Sequence, residues 1–147
     1  MTERVLSETT EAYDDLRNRQ ASRRSGKGAQ IPVRFGPVGA AKILFAIRPE
    51  ALPPWDEPIL EELGYDGSGA SYRRYLDWVR QSIEHLTEQA LRFGIGRSDI
   101  PRLLGRPKSS LCKLIDEYNW VAITKKCPAP KAEELRQWLN WARGMGK

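Results

Sequence analysis

Histidine and cysteine are nearly absent from this chain: His85 is the one histidine, and Cys112 and Cys127 are the two cysteines among 147 residues. Within one chain that excludes a histidine–cysteine zinc site and a four-cysteine iron–sulfur cluster, and no metal or other cofactor is expected. Catalysis by a Cys/His pair would have to use His85, which sits beside Glu84 in a helical stretch and reads as a surface or boundary residue. Two thiols make no disulfide framework, so a reducing, cytoplasmic compartment is expected. Long apolar runs are missing too. The longest, residues 38–47, is broken by Lys42 and is too short to span a membrane. The opening MTERVLSETTEAYDD is acidic and has no apolar centre, so it is not a signal peptide. No internal repeat or low-complexity block is visible.

What the chain does have is aromatic residues and positive charge. Five Trp, five Tyr and three Phe can support one packed interior. The length fits one domain with a tail, since a domain takes roughly 100 to 200 residues. The 24 Lys and Arg outnumber the 19 Asp and Glu, giving +5 and a pI near 9.4. That balance favours an anionic partner such as nucleic acid. We divide the chain into an N-terminal helix with a basic, flexible connector (1–30) and a single helical domain (31–147).

Taken in order, Ser7, Glu8 and Glu11 suggest a helix start, with Leu6, Tyr13 and Leu16 as a thin apolar stripe. Arg17, Arg19, Arg23, Arg24 and Lys27 then concentrate charge in a segment that Gly26 and Gly28 deprive of helical support. It reads as a solvated connector or as a set of phosphate contacts. Residues 31–35 alternate and are extended up to a Gly36-Pro37 turn. A helix buried on several sides follows to Ile47, and Arg48-Pro49 ends it. Pro53, Pro54 and Pro58 stiffen a loop around Trp55 and Asp56, and Asp56 fits the N-cap of a short helix closed by Gly64. Ser71 caps a helix striped by Tyr72, Tyr75, Leu76, Val79, Ile83, Leu86, Ala90 and Phe93, which is a core pattern. Ser98-Asp99 opens a short helix ending at Gly105, and Pro107 opens another. WVAIT, residues 120–124, favours an extended segment by its β-branched and aromatic content. Ala132, Leu135, Trp138, Leu139 and Ala142 stripe a last helix that ends at Gly144. The fold class is mainly α: a compact helical domain with a glycine hairpin turn and a short extended segment near 120–124.

FGPVGAAKILFAIRPEALPPWDEPI resembles the core of the helix-hairpin-helix DNA glycosylase superfamily, the base-excision repair enzymes. In that family a glycine hairpin opens a helix, and an RPxxxP-like approach delivers a catalytic aspartate about twenty residues later. Gly36, Ala40 and Ala41 match the second half of the hairpin, and Arg48, Pro49 and Pro53 match the approach. The resemblance then implies that Asp56 is the catalytic carboxylate, that Arg34, Gly36, Val38, Gly39 and Lys42 lie against DNA, and that Trp55 lines a base pocket. Backbone N–H groups would hold a phosphate while the carboxylate faces the sugar of an extruded nucleotide and stabilises an oxocarbenium-like transition state. Arg34 stands where the family has its first hairpin glycine. Val38 stands where strand-cutting members carry a lysine, so the implied chemistry is hydrolytic base release alone. As a residue, Asp56 is equally well an ordinary N-cap, and Trp55 a core anchor.

DIPRLLGRPKSSLCKLIDEYNW is similar to a helix-turn-helix unit. Ile100, Leu104, Leu111 and Leu114 would be internal, and Lys108, Ser109, Ser110 and Lys113 would face DNA. The expectation is a DNA-binding protein with a reduced glycosylase-like core that excises a base. The alternatives are a non-enzymatic helix-turn-helix protein, or a module that captures a protein partner through Trp138 and Trp141 of the last helix.

Overall fold

Helix α4, Gly69–Arg92, forms where the apolar stripe predicted it, and it buries Tyr72, Tyr75, Leu76, Val79 and Ile83 along one side. A computed structural model of the chain describes residues 2–26 and 28–142. Among these residues the protein is mainly α, with seven helices and one two-stranded sheet. The N-cap of α4 is Ser68 rather than Ser71; Ser71 lies inside the first turn, wholly buried, with its hydroxyl on Asp66. Phe93 falls one residue past the helix and is exposed, so the stripe ends at Ala90.

Helix α1, Glu3–Asn18, is capped by Thr2 instead of Ser7, one turn earlier than expected. Its Tyr13 is fully buried, so α1 contributes to the same core as α4 and α2, Gly36–Ile47. Residues read as a flexible connector are instead ordered as β1, Gln20–Gly26, paired antiparallel with β2, Ala29–Arg34. A boundary at residue 30 would cut this ribbon through its second strand. Residues 31–34 are extended as expected; what was missed is their partner β1, which is polar and almost wholly exposed and so carries no alternation of inward residues. Lys27, at its turn, lies outside the described residues.

Helix α3, Glu57–Glu62, starts at Asp56 and stops before Gly64, whose φ of 66° fits a left-handed helix end. A short 3₁₀ turn, Arg97–Asp99, leads into α5, Ile100–Leu103. Helix α6 covers Leu111–Asn119, capped by Ser110, so residues from Pro107 to the cap are not helical. Residues 120–124 are not extended. They continue α6 as a wide π-helical turn, Trp120–Thr124, with Ile123 against the core and the Thr124 hydroxyl bonded to Asp56. Tertiary contact here outweighs the β propensity of Val121, Ile123 and Thr124. Helix α7 spans Ala132–Ala142; the side chains of Trp138, Leu139, Trp141 and Ala142, and Gly144, lie outside the described residues.

Candidate functional site

Two helix starts meet at the centre of the molecule, and one indole joins them. Trp55, the residue before the α3 cap, is 1% exposed. Its Nε1–H donates to the carbonyl of Pro37 in the first turn of α2, at 3.3 Å. The Tyr13 hydroxyl reaches the same carbonyl at 3.3 Å and that of Gly67 at 3.0 Å. Around the indole, Tyr72 and Tyr75 pack with ring centroids 5.1 and 5.2 Å away. Their hydroxyls donate to the carbonyls of Pro53 and Pro54 at 3.2 and 3.1 Å. Three phenols thereby bond backbone carbonyls in and around the proline loop, and burial pushes all three well above the ordinary tyrosine range. Trp55 is thus a core anchor. Its ring is packed within the core and also contributes to the wall of the cleft beside Asp56.

The start of α3 is closed. Asp56 Oδ1 accepts the Ile59 N–H at 3.1 Å, and Oδ2 accepts the Thr124 hydroxyl at 2.8 Å. The start of α2 is open. Phe35 precedes it without capping it, no acidic residue falls in its first turn, and Gly36 enters with φ of 70°. Pro37 has no N–H, which leaves the amides of Gly36, Val38 and Gly39 as the donors at this end, with the positive end of the helix dipole behind them. What leads into Gly36 is strand β2 and Phe35 rather than a helix.

Asp56 lies on the wall of a cleft of about 430 Å³ shared with Lys42, Phe45, Lys113, Asp116, Glu117 and Trp120. The Asp116 side chain is 13% exposed, and its carboxylate accepts from Lys113 Nζ at 2.6 Å. Burial raises Asp116 above the usual carboxylate range, against the lowering effect of Lys113. Lys113 Nζ also lies over the Phe45 ring, 5.5 Å from its centroid. The rim residue Trp120 is 47% exposed, with Lys125 Nζ 4.6 Å from its ring centroid. Trp120, not Trp55, is the aromatic surface that a planar group could reach. Reading residues 120–124 as extended removed it from the neighbourhood of Asp56; placing it on a continuation of α6 would have found it. Among the described residues no group of three His, Cys, Asp or Glu is placed to hold a metal ion.

The remaining predicted contacts divide. Arg34 ends β2, exposed, with Nη1 3.4 Å from Asn18 Oδ1. Lys42 is exposed on α2, and Val38 is half-buried against the core. Lys108 is exposed and Ser109 half-buried ahead of α6. Ser110 is turned inward: its hydroxyl caps the Lys113 N–H and donates to the Pro49 carbonyl at 2.8 Å. Lys113 is held by Asp116, so Ser110 and Lys113 do not form an outward recognition face with Lys108. Leu104, expected inside, is exposed. A larger cleft, about 670 Å³, lies away from Asp56, floored by Leu6, Leu52, Leu76, Val79 and Ile83, with Cys112 in its wall. Burial pushes the Cys112 thiol up to about 11, so it is a poor nucleophile at neutral pH.

One pattern was missed in the sequence. Between Asp15 and Glu50 there is no acidic residue, while Arg17, Arg19, Arg23, Arg24, Lys27, Arg34, Lys42 and Arg48 are all basic. That stretch comprises the whole ribbon and all of α2. Arg17 and Arg19 are paired with Asp14 and Asp15 of α1. Arg23 and Arg24 are exposed and have no ion-pair partner among the described residues. Comparison of the chain with protein-family models, with curated proteins and with solved structures found no match.

Proposed function

We propose that this chain binds DNA, holding the phosphodiester backbone at the open start of α2 and along the basic stretch that leads into it. The observation that carries the reading is the acid-free stretch from Leu16 to Pro49, which ends in a helix whose first turn has no cap and no carboxylate. Backbone amides at a helix start favour an anion, and each Lys or Arg that meets a phosphate releases counterions. The resemblance of residues 35–65 to helix-hairpin-helix glycosylases points to the same turn. Binding of a labelled duplex, measured between about 50 and 200 mM salt, should weaken steeply with salt. Replacing Phe35 by Asp would put a carboxylate at the α2 start and should weaken binding by on the order of tenfold. A flat salt response in the parent protein would sink the proposal.

Base excision at Asp56 is a second reading, favoured by its position in a cleft with a half-exposed Trp at the rim. In this reading water adds across the bond between base and sugar, and the Asp56 carboxylate stabilises the positive charge that develops on the sugar. Both Asp56 oxygens already accept hydrogen bonds, so the cap would have to open or share on substrate binding. The parent should release a base from at least one duplex in a lesion panel. Asp56→Asn should abolish release and leave DNA affinity unchanged. Equal activity in the two proteins would remove Asp56 from the chemistry.

A further inference from the structure

We infer that the β1–β2 ribbon enters the major groove of duplex DNA, with Arg23, Ser25 and Gln30 turned toward the base edges. This rests on the DNA-binding reading above and names its mode. A two-stranded ribbon alone buries too little to be stable in water, and here only Gly26 and Val33 are half-buried while every other described strand residue is exposed. A groove would cover it.

The register says which face is free. Arg24 opposite Ile31, Ser22 opposite Val33 and Gly26 opposite Ala29 share one face, which carries both half-buried positions: Val33, and Gly26 beneath the Ile31 side chain. Arg23 opposite Pro32 and Ser25 opposite Gln30 make up the other, wholly exposed face. Arginine and glutamine are the side chains that pair bidentately with guanine and adenine in the major groove. Gln30 is already oriented, its Nε2 donating to Ser25 Oγ at 3.0 Å.

Three observations select duplex DNA over other occupants. The charge is of one sign: Arg23 and, two residues on from Pro32, Arg34 stand on the exposed face, and the ribbon has no acidic residue. Pro32 cannot donate to an added strand, and Arg23 and Arg24 on β1 oppose one, so the ribbon is guarded against pairing with another protein's sheet. No aromatic residue falls between Tyr13 and Phe35, so the ribbon offers no stacking platform for a single strand. A groove about 12 Å wide admits a two-stranded ribbon.

The test uses the full chain and two duplexes of one sequence, one with ordinary cytosines and one whose cytosines carry a 5-glucosyloxymethyl group that fills the major groove. The parent should bind the filled duplex more weakly by on the order of tenfold, the worth of one good base contact. The minor-groove ligand netropsin should leave binding to the ordinary duplex unchanged. Arg23→Ala with Gln30→Ala, both surface changes, should bind the two duplexes alike, and Arg34→Ala should lower the salt slope by about 0.9. Equal parent affinity for both duplexes, or competition by netropsin, overturns the groove assignment while DNA binding itself stands. Absence of salt-dependent binding to either duplex overturns the DNA-binding reading and this inference with it.

Discussion

The starts of α2 and α3 use the same parts and finish differently. Each has a proline in its first turn, and each is tied to Trp55, by the indole N–H on one side and by chain continuity on the other. At α3 a carboxylate fills the end and is itself held by Thr124. At α2 no side chain caps it, and no acidic residue lies in the stretch that leads in. The difference separates an end that fixes geometry from an end that can receive a ligand. An internal cap satisfies the orphan amides and removes them from use; an open start keeps them available.

That contrast can be broken at several strengths. Trp55→Ala removes the link between the two starts and the centre of the aromatic cluster, and denaturant unfolding should show a loss of about 3–5 kcal/mol. A loss below about 1 kcal/mol would mean the two starts are held independently. Asp56→Ala opens α3 as α2 is open, leaving the Ile59 amide and the Thr124 hydroxyl without their acceptor; the expected cost is about 1–2 kcal/mol. Phe35→Asp does the reverse and closes α2. Its stability should stay within about 1 kcal/mol of the parent while duplex binding falls, so a loss of fold together with binding would contradict the idea of an end kept open for a ligand. The smallest effect concerns Asp116, the neighbour of Asp56 in the cleft. Burial raises its carboxyl above the ordinary value near 3.8. The folded state therefore holds this proton more tightly than the unfolded one. Its stabilising contribution is fully present below the ordinary value and is lost as pH rises through the raised one. Asp116→Asn should flatten that part of the stability–pH curve, and an unchanged curve would place the proton elsewhere.

Much of the helical frame could be read from the residues, because burial writes a period into the sequence. The α4 stripe, the stop at Arg48-Pro49 and Asp56 as an N-cap all follow local rules that the fold obeys. Strand β1 has no such signature: exposed on both faces, it shows neither alternation nor an apolar run, whereas the alternation at residues 31–34 did mark β2 as extended. The turn at 120–124 failed for the opposite reason, since its local preference was clear and a contact with a residue 68 positions away overrode it. Of the candidate site, Lys42, Trp55, Asp56 and Lys113 were each singled out separately, and the fold brings all four to one cleft. Asp116, Glu117 and Trp120 were not: the first two reach it through the packing of α6, which no local rule gives, and Trp120 through the continuation of α6 past Asn119.

Tyr13 sits in α1 yet finds its stacking partner, Tyr72, in α4, with ring centroids 4.4 Å apart. Tyr72 follows it by about sixty residues, which at a ribosomal pace of roughly 5–20 residues per second is a wait of some 3–12 s. During synthesis Tyr13 therefore stays uncovered, next to a ribbon that the folded protein itself leaves exposed. Until then α1 and the ribbon lack the partners that make up the core. A chaperone that grips exposed aromatics would find Tyr13 in this interval, and would lose it once α4 covers the ring.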